Sequence, residues 1–431
     1  MVASLIIAVF IIGYSAIMFE HKLNLNKAAS ALITGVLCWT IYILQSSDTH
    51  SVSEELLMHL GEISSILFFL LGAMTIVELI DSHNGFEIIT GNISTSNKKK
   101  LLFIVTVLTF FLSALLDNLT TAIVMTSLCS KLLNKIEDKH WFAGMIIIAA
   151  NAGGAWSPLG DVTTTMLWIG GQITALNIVK QLIVPSIAAC AIPAFIVSRH
   201  FKGKKITYER RPAFTGKEKK DGKIILFAGI GCLLFVPIFK TLTHLPPFMG
   251  MLLALGLIWV ITTVIHKGKE PELAQRFTVA NALQKVDTPS VLFFLGILLT
   301  VSAMQSVGLL KELATFLNNT LKNDYYIGIA LGLLSSIVDN VPLVAASQGM
   351  YDLSTYPTDH PFWEFLALTT GTGGSAIIIG SAAGVAVMGI EKINFMWYLK
   401  KITWLALIGF VAGILVFLLQ LRFLELKNHV S

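Results

Sequence analysis

The stretch SALLDNLTTA (Ser113–Ala122) sets an Asp–Asn pair, Asp117 and Asn118, inside a long apolar run, with LLFIVTVLTFFL before it and AIVM after it. The same pair returns in SSIVDNVPLV, which begins at Ser335, as Asp339 and Asn340. An ionised carboxylate at membrane depth costs several kcal/mol unless it is paired or coordinated, so such residues are functional by default. Two pairs in matching surroundings decide how the whole chain is read.

The surroundings are those of a membrane protein. Of 431 residues, 55% are hydrophobic and 13% are charged, against about 25% in a usual soluble chain. Apolar stretches long enough to span follow one another with little soluble mass between them. The net charge of +5 comes from basic residues in short connections, the pattern of cytoplasmic loops, and gives no reason to expect a nucleic-acid partner. LIIAVFIIGYSAIMF (Leu5–Phe19) has no basic segment before it and no small-residue cleavage site after it. It is expected to be a retained first helix rather than a signal peptide. The four cysteines, Cys38, Cys129, Cys190 and Cys232, lie in apolar segments without a C-x-x-C, which indicates neither a disulfide framework nor a thiolate metal site. The ten histidines fall near segment ends, with no H-E-x-x-H.

Candidate spans are 3–19, 27–45, 62–82, 141–172, 176–198, 223–240, 248–266, 288–307, 361–390 and 401–422. The stretches 101–131 and 325–351 carry the Asp–Asn pairs near their middles. NKKK (Asn97–Lys100) precedes the first, and Lys131, Lys135 and Lys139 follow it. Basic residues at both ends suit a re-entrant hairpin that starts and finishes on the cytoplasmic side. Parity agrees. A hairpin puts the KKK loop and the most basic segment, Arg199–Lys223, on one side, and leaves the loop 46–61, which has no Lys or Arg, outside. The second hairpin then starts from outside, and DLSTYPTDHP after it has no Lys or Arg.

The expected fold class is an all-α polytopic membrane protein with inverted-topology repeats. Each repeat has five transmembrane helices, one of them interrupted, and one re-entrant hairpin. The first repeat is 1–198, with hairpin 101–131 and broken helix 141–172. A basic cytoplasmic linker covers 199–223. The second repeat is 224–431, with hairpin 325–351 and broken helix 361–390. FFLLG (Phe68–Gly72) corresponds to FFLG (Phe293–Gly296), and NAGGAWSPLGD (Asn151–Asp161) to GTGGSAIIIGS (Gly371–Ser381). Inverted repeats around interrupted helices are the architecture of secondary transporters.

A break at membrane depth survives only where it is buried in protein or lines a polar cavity. Its free carbonyls suit a cation and its free amides an anion. The side chains at these breaks choose the cation. The first half supplies Asp117, Asn118, Asn151, Asp161, Thr163 and Thr164; the second supplies Ser335, Ser336, Asp339, Asn340, Thr372, Ser375 and Ser381. These are hard oxygen donors. Three carboxylates without an intramembrane Lys or Arg call for Na⁺ or H⁺ as cargo. Burial favours the protonated carboxyl and a bound cation the ionised one, so one site can hold either ion and couple their fluxes. Na⁺ is expected at Asp117, Asn118, Asp161, Asp339 and Asn340. Glu78 is kept as a candidate for transport or pH sensing, ahead of Asp81. The blander reading makes each Asp a helix cap and each glycine-rich run a turn; the repetition of the whole pattern weighs against it.

At these residues the chain resembles the NhaD-type sodium/proton antiporters of the ion-transporter superfamily. FFLLGAMTIVELID, LLDNLTTAIVM, NAGGAWSPLGDVTTTMLW and SSIVDNVPLVAA read like that family's signatures, and the resemblance covers nearly the whole chain. It implies ion-binding or transport roles for Asp117, Asn118, Asn151, Asp161, Thr163, Thr164, Ser335, Asp339 and Asn340. It also implies acceptance of Li⁺, an elevator-like motion and a homodimer. Ser381 stands where the first half has Asp161, so two cation sites would be unequal. The expected function is exchange of cytoplasmic Na⁺ for external H⁺ across a bacterial inner membrane, with no cofactor. The competing transporter is a Na⁺-coupled symporter of a carboxylate or oxyanion, which would want neutral donors where the tips carry Asp. An enzyme would need a nucleophile–base pair or metal ligands at depth, neither of which is found. A channel would conduct without proton coupling.

Overall fold

Most of the long helices begin at a short polar side chain that accepts a backbone N–H. Asn26 caps Lys27–Gln45, Asp48 caps Thr49–Ser82, Asn97 caps Lys98–Leu116 and Thr174 caps Ala175–His200. A helix start leaves four amides without partners, and these side chains satisfy one or two of them. The computed structural model describes residues 2–18, 20–23, 25–90, 95–201, 203, 216–267 and 277–430. Among them, eight helices are long and apolar enough to cross a bilayer. The protein is an all-α, multi-pass membrane protein. Most of the expected linker 199–223 lies outside the described residues.

The stretch 101–131 is a pair of helices, Lys98–Leu116 and Asn118–Leu132, separated by Asp117 alone. The next helix, Ile136–Gly154, lies alongside the first in parallel: Lys98 Nζ meets Asp138 Oδ2 at 2.5 Å, and Ser113 Oγ donates to Ala150 O at 2.6 Å. The chain therefore turns at Asp117 and comes back to the end it started from. The stretch 325–351 does the same through Asp324–Leu334 and Asn340–Met350. Tyr356 Oη donates to Asp324 at 2.9 Å at its start, and Ser335 Oγ donates to Thr370 O at 2.9 Å near its tip.

The candidate broken helices are interrupted where their glycines cluster. The first consists of Ile136–Gly154 and Val162–Ile169, the second of Pro361–Gly373 and Ala382–Glu391. They run antiparallel. His140, near the start of the first, contacts the carbonyl of Glu391 at 3.2 Å, while the loop after the first meets the loop before the second through Thr174 and Asp359. Close approach of each hairpin explains two of the glycines. A Cβ on Gly153 would stand 2.2 Å from the Phe110 carbonyl, and one on Gly373 2.0 Å from that of Gly332.

Two readings of the spans need correction. The span expected at 62–82 starts at Thr49 and runs as one helix to Ser82, so most of the loop 46–61 is helical. Of its acids, Asp48 caps this helix and Glu54 is exposed on it, while Glu55 is half-buried and accepts from Tyr42 Oη at 3.3 Å. The chain between 307 and 324, read only as a connection, holds the amphipathic helix Leu309–Leu321.

Candidate functional site

Both tips and both breaks converge on one buried polar cluster. At the first tip, Asp117 has φ +82°, a strained conformation for a residue with a Cβ, of the kind concentrated at functional sites. It makes the turn within one residue and caps the following helix. Its Oδ1 accepts from Thr120 N at 2.8 Å and its Oδ2 from Thr120 Oγ1 at 2.9 Å. Asp339 accepts from Val341 N at 3.2 Å. Each Asp is thus a helix cap, as the bland reading has it, and each is also half-buried beside the cluster.

Asp161 holds the centre. It caps Val162–Ile169, with Oδ1 accepting from Thr163 N at 3.1 Å. Its Oδ2 accepts from the amide of Asn118 at 3.0 Å and from that of Asn340 at 3.1 Å. One carboxylate therefore receives the Asn of both tips, and hydrogen bonds to a charged group are the stronger kind. Asn118 also donates to Asn151 Oδ1 at 3.1 Å. Asn151 Nδ2 crosses to the second break, to Ser375 Oγ at 2.9 Å and Ser381 Oγ at 3.0 Å. Asp161, Asn118, Asn340, Asn151, Ser375 and Ser381 are all buried.

The remaining candidates have other placements. Thr164 Oγ1 donates to the carbonyls of Ser157 and Asp161, and Ser335 Oγ to those of Gly332 and Thr370, so both hydroxyls tie backbone together. Thr163 Oγ1 is buried with no hydrogen-bond partner among the described residues. Glu78 stands apart, ion-paired with Lys285 at 3.0 Å and bonded to Ser82.

Cavities lie at both ends of the molecule, and one of about 450 Å³ at the Gln172 end is lined by His59, Met166 and Gln348. A cavity of about 490 Å³ lies between Glu20, Lys27, Asp287 and Ser290 on one side and Leu119 and Ala382 on the other. Asp287 is two residues from the Glu78–Lys285 pair, at the end of Thr49–Ser82. The start of Gly216–Thr243 adjoins that same end, at His83, whereas its far end reaches Trp168 through Lys240. Trp168 lies in the second half of the broken helix whose first half begins beside Lys98, so the cavity lies at the Lys98 end of the molecule. Sequence reading missed Lys27 here. It starts a span, so nothing in its neighbourhood along the chain links it to Asp339, whose chamber it lines.

The comparisons with known proteins concern the chain as a whole. The family model described as a citrate transporter matches residues 14–371. Sodium/proton antiporter 2 of Arabidopsis thaliana is 45% identical over 95% of this chain and 97% of its own length. The Na⁺/H⁺ antiporter NhaD of Vibrio cholerae is 30% identical over 95% of this chain and 90% of its own. Among solved structures, MtrF of Neisseria gonorrhoeae, described with a class of antimetabolite efflux pumps, has a TM-score of 0.50 and 11% identity, covering 85% of this chain and 84% of its own. That likeness concerns the fold alone. With two Asp–Asn tips and two glycine-rich breaks built around Asp161, the chain belongs to the citrate-transporter family and, within it, to the NhaD-type sodium/proton antiporters.

Proposed function

We propose that this protein exchanges Na⁺ for H⁺ across its membrane by alternating access. The observation that carries the reading is Asp161, a buried carboxylate held by Asn118 and Asn340, one from each tip. A Na⁺ needs oxygen ligands, and each of these amides carries a carbonyl as well as its N–H₂. Rotation of the amides exchanges donors for ligands, so the tips and the carboxylate respond to the cation together. With Asp117 and Asp339 nearby, adding a proton removes the charge that holds Na⁺. The two ions compete, and the competition couples their movements. The relatives named sodium/proton antiporters support the same assignment.

We further propose two inverted repeats, 1–198 and 224–431. The antiparallel broken helices and the hairpins that start from opposite ends support them. The linker and the Lys98 end are placed in the cytoplasm, from the distribution of Lys and Arg. The membrane is proposed as a bacterial inner membrane on the strength of the bacterial NhaD relatives. Imaging of the tagged chain in its source cell tests this, since plant relatives are more similar in sequence. Li⁺ as a second cargo, a homodimer, and the absence of any catalytic step complete the proposal.

The family model's description as a citrate transporter favours a second reading, Na⁺-driven citrate uptake. The Asp side chains at both tips oppose it, since they repel an anion. Purified protein in liposomes with an internal pH dye separates the two. Exchange predicts an internal pH change on addition of Na⁺ or Li⁺, with no citrate present. Citrate uptake that depends on Na⁺, without such a pH change, would overturn exchange.

A further inference from the structure

The two tips look into chambers of unlike charge. The chamber at Asp117, about 50 Å³, is lined by apolar side chains such as Leu70, Met74, Met251 and Phe294, with Ser290. No Lys or Arg is among the described residues that line it. The chamber at Asp339, about 60 Å³, is lined by Tyr14, Glu20, Lys27, Phe293 and Ser381. Lys27 also lines the larger cavity through which this end of the molecule opens. It is the one basic residue among the described residues lining these three spaces.

Lys27 is held in place. Its backbone N–H donates to Glu20 Oε2 at 3.2 Å, and its ammonium stands 4.8 Å from the centroid of the Phe293 ring, within the range of a cation–π contact. Its side chain and that of Asp339 line the same chamber of about 60 Å³. The other ionisable groups that share its spaces are Tyr14, Glu20 and Asp287. The sequence offers no Lys or Arg inside the spans beside the three carboxylates, but Lys27, at the first turn of a span, lines the chamber of Asp339; no Lys or Arg among the described residues lines the chamber of Asp117.

We propose that Lys27 is a resident counter-cation that competes with Na⁺ for Asp339, and so sets the Na⁺ affinity of the second tip. The inference rests on the exchange reading above. Two positive charges in one small chamber of low dielectric repel each other, so Na⁺ is disfavoured at Asp339 while Lys27 shares its chamber. The first half, with Asp117 and Asp161, is then the stronger Na⁺ site. Lys27 acts through Asp339 and is a specificity-determining residue rather than a ligand.

The test is equilibrium binding, read as Na⁺-induced thermal stabilisation of the purified full chain, with choline holding ionic strength constant. Lys27→Gln should lower the Na⁺ concentration for half-maximal stabilisation about fivefold or more, the lower range of couplings between interacting sites. Lys27→Met should do the same, and Lys27→Arg should match the wild type. In an Asp339→Asn background, Lys27→Gln should have no further effect. Unchanged or weaker Na⁺ binding in Lys27→Gln overturns the proposal, as does an effect that survives in Asp339→Asn. Failure of both Lys27→Gln and Lys27→Met to fold, with Lys27→Arg folding, would make Lys27 structural and overturn it too. A wild type that responds to Na⁺ no more than to choline overturns the exchange reading, and the proposal with it.

Discussion

Replacing Asp161 by Asn and Ser381 by Ala probes equivalent positions in the two halves, and the structure predicts unequal losses. A Na⁺ about 4 Å from a full negative charge gains about 4 kcal/mol at an effective dielectric of 20, which is about three orders of magnitude in affinity. Asp161→Asn loses that term. With its carbonyl oxygen kept on Asn118 and Asn340, which now reach Oδ2 at 3.0 and 3.1 Å, it turns an amide N–H₂ toward the Thr163 N–H that Oδ1 now accepts at 3.1 Å. A buried donor left without an acceptor costs about 1–3 kcal/mol, so some loss of thermal stability should accompany the loss of binding. Ser381→Ala removes a neutral hydroxyl that accepts from Asn151 at 3.0 Å and from Gly384 N at 3.2 Å. Asn151 keeps Ser375 at 2.9 Å. The loss is about 1 kcal/mol, roughly fivefold in affinity. The assay is proton movement in proteoliposomes across a Na⁺ titration, with circular dichroism confirming the fold. Asp161→Asn should show no Na⁺-driven proton movement. Ser381→Ala should reach the wild-type maximal rate at about fivefold higher Na⁺. Equal losses in the two variants would refute the reasoning.

Other expectations concern topology, stability and pH. Cysteines placed at Lys99 and Lys135, in a background without native cysteines, should react with an impermeant thiol reagent from one side only; labelling from opposite faces would make the first hairpin a crossing. The Lys98–Asp138 pair is buried on both sides, so Lys98→Met should destabilise the protein by about 3–5 kcal/mol by stranding Asp138. The double variant Lys98→Met/Asp138→Leu should recover most of the lost melting temperature, and no recovery would mean that the pair is not the cause. Na⁺ should bind more weakly as pH falls, because protonation removes the charge that holds it. For each proton displaced per Na⁺ the slope should approach about tenfold per pH unit, and pH-independent Na⁺ affinity would exclude competition at shared carboxylates.

The hairpin tips and the breaks were legible because each carries a local mark. A charged residue in an apolar run and a cluster of glycines violate the pattern of a membrane helix, and both do so twice. The broken helices end where Gly154 and Gly373 stand. What lies across the fold left no such mark. That Asn118 and Asn340 both reach Asp161, or that Asn151 bridges to Ser375 and Ser381, depends on the antiparallel crossing of helices far apart in sequence. Glu78 shows the converse. Read as a candidate for transport or pH sensing near the end of a span, it is ion-paired there with Lys285. Lys27 was overlooked because a Lys at the first turn of a span reads as an interfacial anchor.

We propose that the aspartates of the tips carry the coupling between Na⁺ and H⁺. This is tested most directly by Na⁺-driven proton flux in proteoliposomes for the wild type, Asp117→Asn and Asp339→Asn. Asn keeps the shape and much of the capping ability of Asp and removes both the charge and the titrating proton. Flux is expected in the wild type and none in either folded variant. Wild-type-like coupled exchange in both variants would contradict this and would leave Asp161 to carry the proton alone.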